Sequence, residues 1–90
     1  MARGNGLVIQ VTIDAGSKRE ADLIAASMPG QPRVTAWRGY GIVRLWVAKS
    51  EAADLVPILA ECVGRHNVGW ARIRFGEDEW MFRGRKASAS

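Results

Sequence analysis

The chain is short of most residues around which chemistry is usually built, with one cysteine, one histidine and three prolines among 90 residues. A lone thiol, Cys62, closes no internal disulfide, which excludes a disulfide-stapled secreted scaffold and makes the cytoplasm the expected setting. One histidine, His66, beside that one cysteine provides no His/Cys set of the kind that holds zinc. No apolar run approaches the roughly 20 residues of a membrane-spanning helix, so no membrane association is expected. The opening MARGNG carries a single Arg, and LVIQVTID behind it is interrupted by Gln10, Thr12 and Asp14, so no signal peptide is read there. Phosphate-binding loops are missing as well. GNG and GYG are too short for one, and no GxxxxGK segment is present.

What is present is ordinary globular composition, 48% hydrophobic and 24% charged, at a length that makes one small domain. The net charge is +4, but Arg3, Arg83, Arg85 and Lys86 lie toward the ends, and the bases and acids between them balance. Net charge alone therefore does not point to nucleic acid. Residues 1–6 are expected to be a flexible tail, 7–84 a single domain and 85–90 a disordered tail.

Residues 7 to 13, LVIQVTI, read as a central strand. Ser17 and Glu20 form a capping box, followed by an apolar stripe of Ala21, Ile24, Ala25 and Met28, with Pro29 and Gly30 ending the helix. Residues 33–38 and 41–48 alternate as strands and are separated by Gly39 and Tyr40, with Gly41 a candidate bulge. A second helix starts either at a Ser50 cap or near Asp54 with Pro57 in its first turn. Its inward face is expected to carry Leu55, Leu59, Cys62 and His66, with Gly64 or Asn67 as the stop. WARIRF at 70–75 is a further strand, and a turn through GEDE leads into a short fifth strand at WMFR. The order is that of an α+β, ferredoxin-like βαββαβ sandwich: an antiparallel sheet with two helices on one face and a short extra C-terminal strand.

Strand parity sorts the side chains. Toward the helices it places Leu7, Ile9, Val11, Ile13, Val34, Ala36, Val43, Leu45, Val47, Ala71, Ile73 and Phe75. Toward the open side it places Val8, Gln10, Thr12, Thr35 and Ile42 together with Trp37, Trp46, Trp70, Arg33, Arg44, Arg72 and Arg74. The tryptophans and arginines are expected to converge, with the acids on helices and turns. Trp80 and Phe82 join that face if the GEDE turn has three residues and turn inward if it has two or four.

The octet RGYGIVRL at 38–45 resembles the third-strand ribonucleoprotein segment of RNA-recognition motifs, in Arg38, Gly39, Tyr40, Gly41, Val43 and Leu45. That resemblance implies a βαββαβ fold over residues 7 to 75 and base stacking on the open face. Two stacking aromatics of that family are replaced, by Val8 and Ile42, and RVTAW runs directly into the octet. The residues themselves read as a glycine-rich hairpin turn at Arg38 to Gly41 that delivers Arg44 and Trp46 to the sheet.

Catalytic candidates are few. Cys62 and His66 stand four apart and could pair on a helix face as nucleophile and base or as two metal ligands, but the residue types fit a core thiol and a histidine at a helix C-terminus better. Glu77, Asp78 and Glu79 read as a solvated turn rather than a cation loop. No cofactor or metal is expected. The expectation is a non-catalytic interaction module whose Trp/Arg face serves homodimerisation or docking to a protein partner, with single-stranded nucleic acid as the alternative occupant.

Overall fold

The first strand runs two residues further than expected, through Asp14 to Ala15, before Gly16 and Ser17 break it. The computed structural model describes residues 7–84, so both expected tails lie outside the described residues. Its elements are β1 (Val8–Ala15), α1 (Lys18–Ser27), β2 (Arg33–Trp37), β3 (Tyr40–Ala48), the single turn α2 (Lys49–Ala52), α3 (Leu55–His66), β4 (Trp70–Phe75) and β5 (Asp78–Arg83). The fold is α+β. Five antiparallel strands form one open sheet in the order β2-β3-β1-β4-β5, and α1 and α3 pack against one of its faces.

Local chemistry accounts for where the helices begin and end. The Ser17 hydroxyl accepts the Glu20 N–H at 3.2 Å and caps α1, but the expected capping box is only half made. The Glu20 carboxylate instead accepts the Gly69 N–H at 3.1 Å, tying the start of α1 to the entrance of β4. Pro57 falls in the first turn of α3, where a missing N–H has no intrahelical partner to lose. Ser50 lies within α2 and caps nothing. Asn67, in the left-handed region at φ 54°, ends α3, and Gly64 is interior to it. His66, expected to face inward, is exposed. The left-handed turn reverses the chain after it, and Val63 and Val68 take the buried places.

The core follows the expected parity. Val11, Ile13, Val43, Leu45, Ala71 and Ile73 from the sheet meet Ile24, Leu55 and Leu59 from the helices, all fully or almost fully buried. Each such aliphatic contributes about 1.5–3 kcal/mol relative to leaving it in water. Leu7 and Ala36, assigned to the same side, are exposed at the margin of the sheet. Gly41 is no bulge. A Cβ there would overlap the Ser17 carbonyl and the Ala21 side chain, so α1 rests directly on the β3 backbone.

Two turns decide what reaches the open face. Arg38 and Gly39, both at positive φ (51° and 87°), form the two-residue turn between β2 and β3, so that Trp37 pairs with Tyr40 and Tyr40 belongs to the strand. Gly76 and Glu77 make an equally short turn between β4 and β5, pairing Phe75 with Asp78. Trp80 and Phe82 therefore point to the helix side. Trp80 stacks on Phe75 at 5.3 Å between ring centroids.

Candidate functional site

Strand register arranges the open face in rows that run across the strands. Nearest the β2–β3 turn lie Trp37, Tyr40, Trp70 and Arg83; then Thr35, Ile42, Asp14, Arg72 and Met81; then Arg33, Arg44, Thr12, Arg74 and Glu79. Past these, β3 and β1 carry Trp46 opposite Gln10.

An open hollow of about 760 Å³ spans the first three rows, lined by Trp37, Tyr40, Trp70 and Arg83 at one end and continuing over Asp14, Ile42, Arg72 and Met81 to Arg74. The Tyr40 and Trp70 rings meet edge to face at 6.2 Å. Gly16 makes that possible, since a Cβ on it would lie 2.9 Å from the Trp70 indole nitrogen. The Arg38 guanidinium covers the Trp37 ring at 5.0 Å, a cation–π contact on the hollow's outer wall.

Asp14 stands at the floor. It is only 8% exposed although its face carries no helix, because two arginines close over it. Its Oδ2 accepts Arg72 Nε at 3.1 Å and Arg72 Nη2 at 2.8 Å, and it forms an ion pair with Arg74 Nη2 at 3.2 Å. Glu79 stands 4.0 Å from the other Arg72 nitrogen. Hydrogen bonds to Asp14 hold the Arg72 guanidinium above its ordinary pKa, against the opposing effect of partial burial. One carboxylate thus fixes two guanidiniums upright. Arg44 donates only to the Thr35 hydroxyl, at 3.4 Å. Among the described residues no carboxylate lies within ion-pair distance of Arg33, Arg44 or Arg83.

Every expected face residue is on the open side, but not as one cluster. Trp37 and Trp70 share the hollow, whereas Trp46 lies six residues along β3 from Tyr40, about 20 Å away at strand rise. The expectation that acids keep to helices and turns is corrected by Asp14, which sits at the centre of the face. Its signal was in the chain: continuing Val8, Gln10, Thr12 by one more step of two reaches it. Arg83, the last residue of the expected fifth strand, lies on the hollow, and Tyr40 and Met81 also join. Met81 and Arg83 depend on the length of the β4–β5 turn, and Tyr40 on where the two-residue β2–β3 turn falls.

Elsewhere the parts do not assemble. Cys62 is buried between α1 and α3, where it accepts from the Ser27 hydroxyl at 3.6 Å. The shallow groove beside it holds Glu61 and Arg65, themselves paired at 2.6 Å, and not His66. Among the described residues no group of three or more His, Cys, Asp or Glu is placed to hold a metal, and no helix is long and apolar enough to cross a membrane. Compared with protein-family models, with curated proteins and with solved structures, the chain matches none.

Proposed function

We propose that the protein is a non-catalytic binding module whose open sheet face docks a protein surface, foremost that of a second copy of itself. In this reading the β2-β3-β1-β4 order is the ferredoxin-like βαββαβ arrangement with β5 appended, working in the cytoplasm. One observation carries it: Trp37, Tyr40, Trp46 and Met81 stand 59%, 49%, 51% and 48% exposed on one face. Side chains of this size left half in water mark an interaction surface, and Trp, Tyr and Arg are the residues that dominate binding energy at protein interfaces. Sedimentation velocity from submicromolar to high micromolar protein tests it. A concentration-dependent shift from monomer to dimer supports the reading, and a monomer at every concentration refutes it.

A second reading rests on a separate observation, the row of Arg33 and Arg44, which lie opposite each other without a carboxylate partner among the described residues. Such cations, with Trp37, Trp46 and Trp70 as stacking platforms, suit single-stranded nucleic acid. Titration of a short oligonucleotide followed by tryptophan fluorescence separates the two. Nucleic-acid binding weakens steeply with added salt, whereas apolar self-association does not. Unchanged fluorescence at low salt removes this second reading.

A further inference from the structure

The two ends of the open face differ, and the difference is complementary. One end has the hollow ringed by Trp37, Tyr40 and Trp70, with Arg83 on its margin and the Arg38 turn beside it. The other end has the protruding Trp46 on β3 and the β4–β5 turn with Glu77 and Asp78, neither of which is ion-paired among the described residues. Rings with Arg83 stand at one end; at the other stand Trp46, with Arg44 and Arg33 beside it on β3 and β2, and the anions of the β4–β5 turn on the far side of the sheet.

We infer that two copies stack open face to open face about a two-fold axis running across the strands, between the Asp14 row and the Arg44 row. This inference rests on the self-association reading and specifies its geometry. Such an axis lays each strand over its own counterpart and reverses the order of the rows. Trp46 of each copy then enters the hollow of the other, over the partner's Tyr40. On β5 the same reversal carries Arg83 over the β4–β5 turn, to the partner's Glu77, because Glu77 lies past Glu79 as Trp46 lies past Arg44.

The alternative two-fold, running along the strands, is physically poorer. It sets Asp14 over Asp14 and the Trp37, Tyr40 and Trp70 end of the hollow over its own counterpart, leaving that end unfilled and Trp46 without an aromatic partner. Interface cores are packed like protein interiors, and a hollow does not fill a hollow. An inserted indole does, and the roughly half of Trp46 that is exposed is left to be buried at each of two equivalent sites. Five strands at about 4.8 Å spacing and the Tyr40-to-Trp46 length of β3 give a face of about 500 Å² in projection. Corrugation by large side chains brings this toward the roughly 800 Å² per partner of an ordinary stable interface.

The test is sedimentation of the wild type, Trp46→Ser, Arg83→Glu, Glu77→Arg and an equimolar mixture of the last two, each first shown to be folded by circular dichroism. The arrangement expects a wild-type dimer, association at least tenfold weaker for Trp46→Ser, and several-fold weaker for either charge reversal alone. In the mixture, both Glu–Arg contacts re-form between unlike copies, and dimerisation returns to the wild-type level. A wild-type dimer that survives Trp46→Ser, or charge reversals that the mixture does not rescue, overturns this geometry and leaves self-association standing. A monomeric wild type overturns both.

Discussion

Toward α1 and α3 the sheet presents Val11, Ile13, Val43, Leu45, Ala71 and Ile73, all buried; one residue along in the same strands it presents Thr12, Asp14, Ile42, Arg44, Arg72 and Arg74. The two faces share every backbone hydrogen bond. They differ only in what side-chain alternation sends each way, and a register slip of one residue would exchange them. The first set has helices to exclude water from it. The second has an ion cluster and half-exposed rings, which add little to the folded monomer and leave much to be gained on contact. On the proposed reading, stability and binding fall on opposite sides of one layer, and substitutions should separate them.

The largest effect belongs on the helix side. Ile73→Ala removes a fully buried side chain from the middle of the core and is expected to cost about 2–5 kcal/mol in urea unfolding, with a mostly unfolded variant at the upper end. Next comes the one buried charge on the opposite face. Asp14→Asn leaves Arg72 and Arg74 without their shared anion. Breaking a fully buried pair costs about 3–5 kcal/mol, and because both guanidiniums are partly exposed and screened the expected loss is about 1–3 kcal/mol. Alkali does not substitute for this mutation. With its pKa raised, Arg72 contributes fully below its ordinary value and loses its charge only above the raised one, outside the range in which proteins are handled. A cost for Asp14→Asn as large as that for Ile73→Ala would show that the open face also helps to hold the fold. Smaller still is Gly16→Ala, which sets a methyl against the Trp70 indole and the Glu20 carboxylate. A loss of about 1 kcal/mol is expected, with a shift in tryptophan emission as Trp70 leaves its contact with Tyr40.

How much of this was legible in the chain depends on how local each feature is. Strand parity is a two-residue property, so the helix-side residues Val11, Ile13, Val43, Leu45, Ala71 and Ile73 were readable directly. So were the Ser17 cap and the Ala21–Ile24–Met28 stripe. Asp14 lies one step of two beyond Thr12 on the open face, past the expected strand end at Ile13. Turn length is different. Gly39 and Gly76 permit positive φ, but composition does not say whether a turn closes on two residues or three. That choice at β4–β5 turned Trp80 to the helix side and brought Met81 and Arg83 out, while at β2–β3 a two-residue turn falling one residue earlier than expected moved Tyr40 into the hollow. His66 failed for a similar reason: helical periodicity carries it inward, whereas a left-handed residue after it ends the helix. The separation of Trp46 from the other two tryptophans is a matter of register between strands distant in sequence, which no local pattern encodes.

The finest test of the two faces is a substitution expected to do almost nothing to stability. Trp46 is the largest side chain on β3, and its neighbours along the strand, Leu45 and Val47, are buried core residues. By size and hydrophobicity alone its removal ought to be costly. By parity it is not, since about half of the ring is already in water and no helix covers it. Trp46→Ser, unfolded in urea at submicromolar concentration where a weak dimer has dissociated, is expected to change stability by no more than about 0.5 kcal/mol. Repeating the measurement at high concentration should open a gap, because anything that binds only the folded chain stabilises it by mass action, and the wild type alone gains from association. Equal stabilities at low concentration and unequal ones at high concentration would locate the contribution of Trp46 in an encounter between molecules. A loss of 2 kcal/mol or more already at submicromolar protein would instead make Trp46 part of the monomer's own packing, and the division of labour between the faces would fail at the residue chosen to display it.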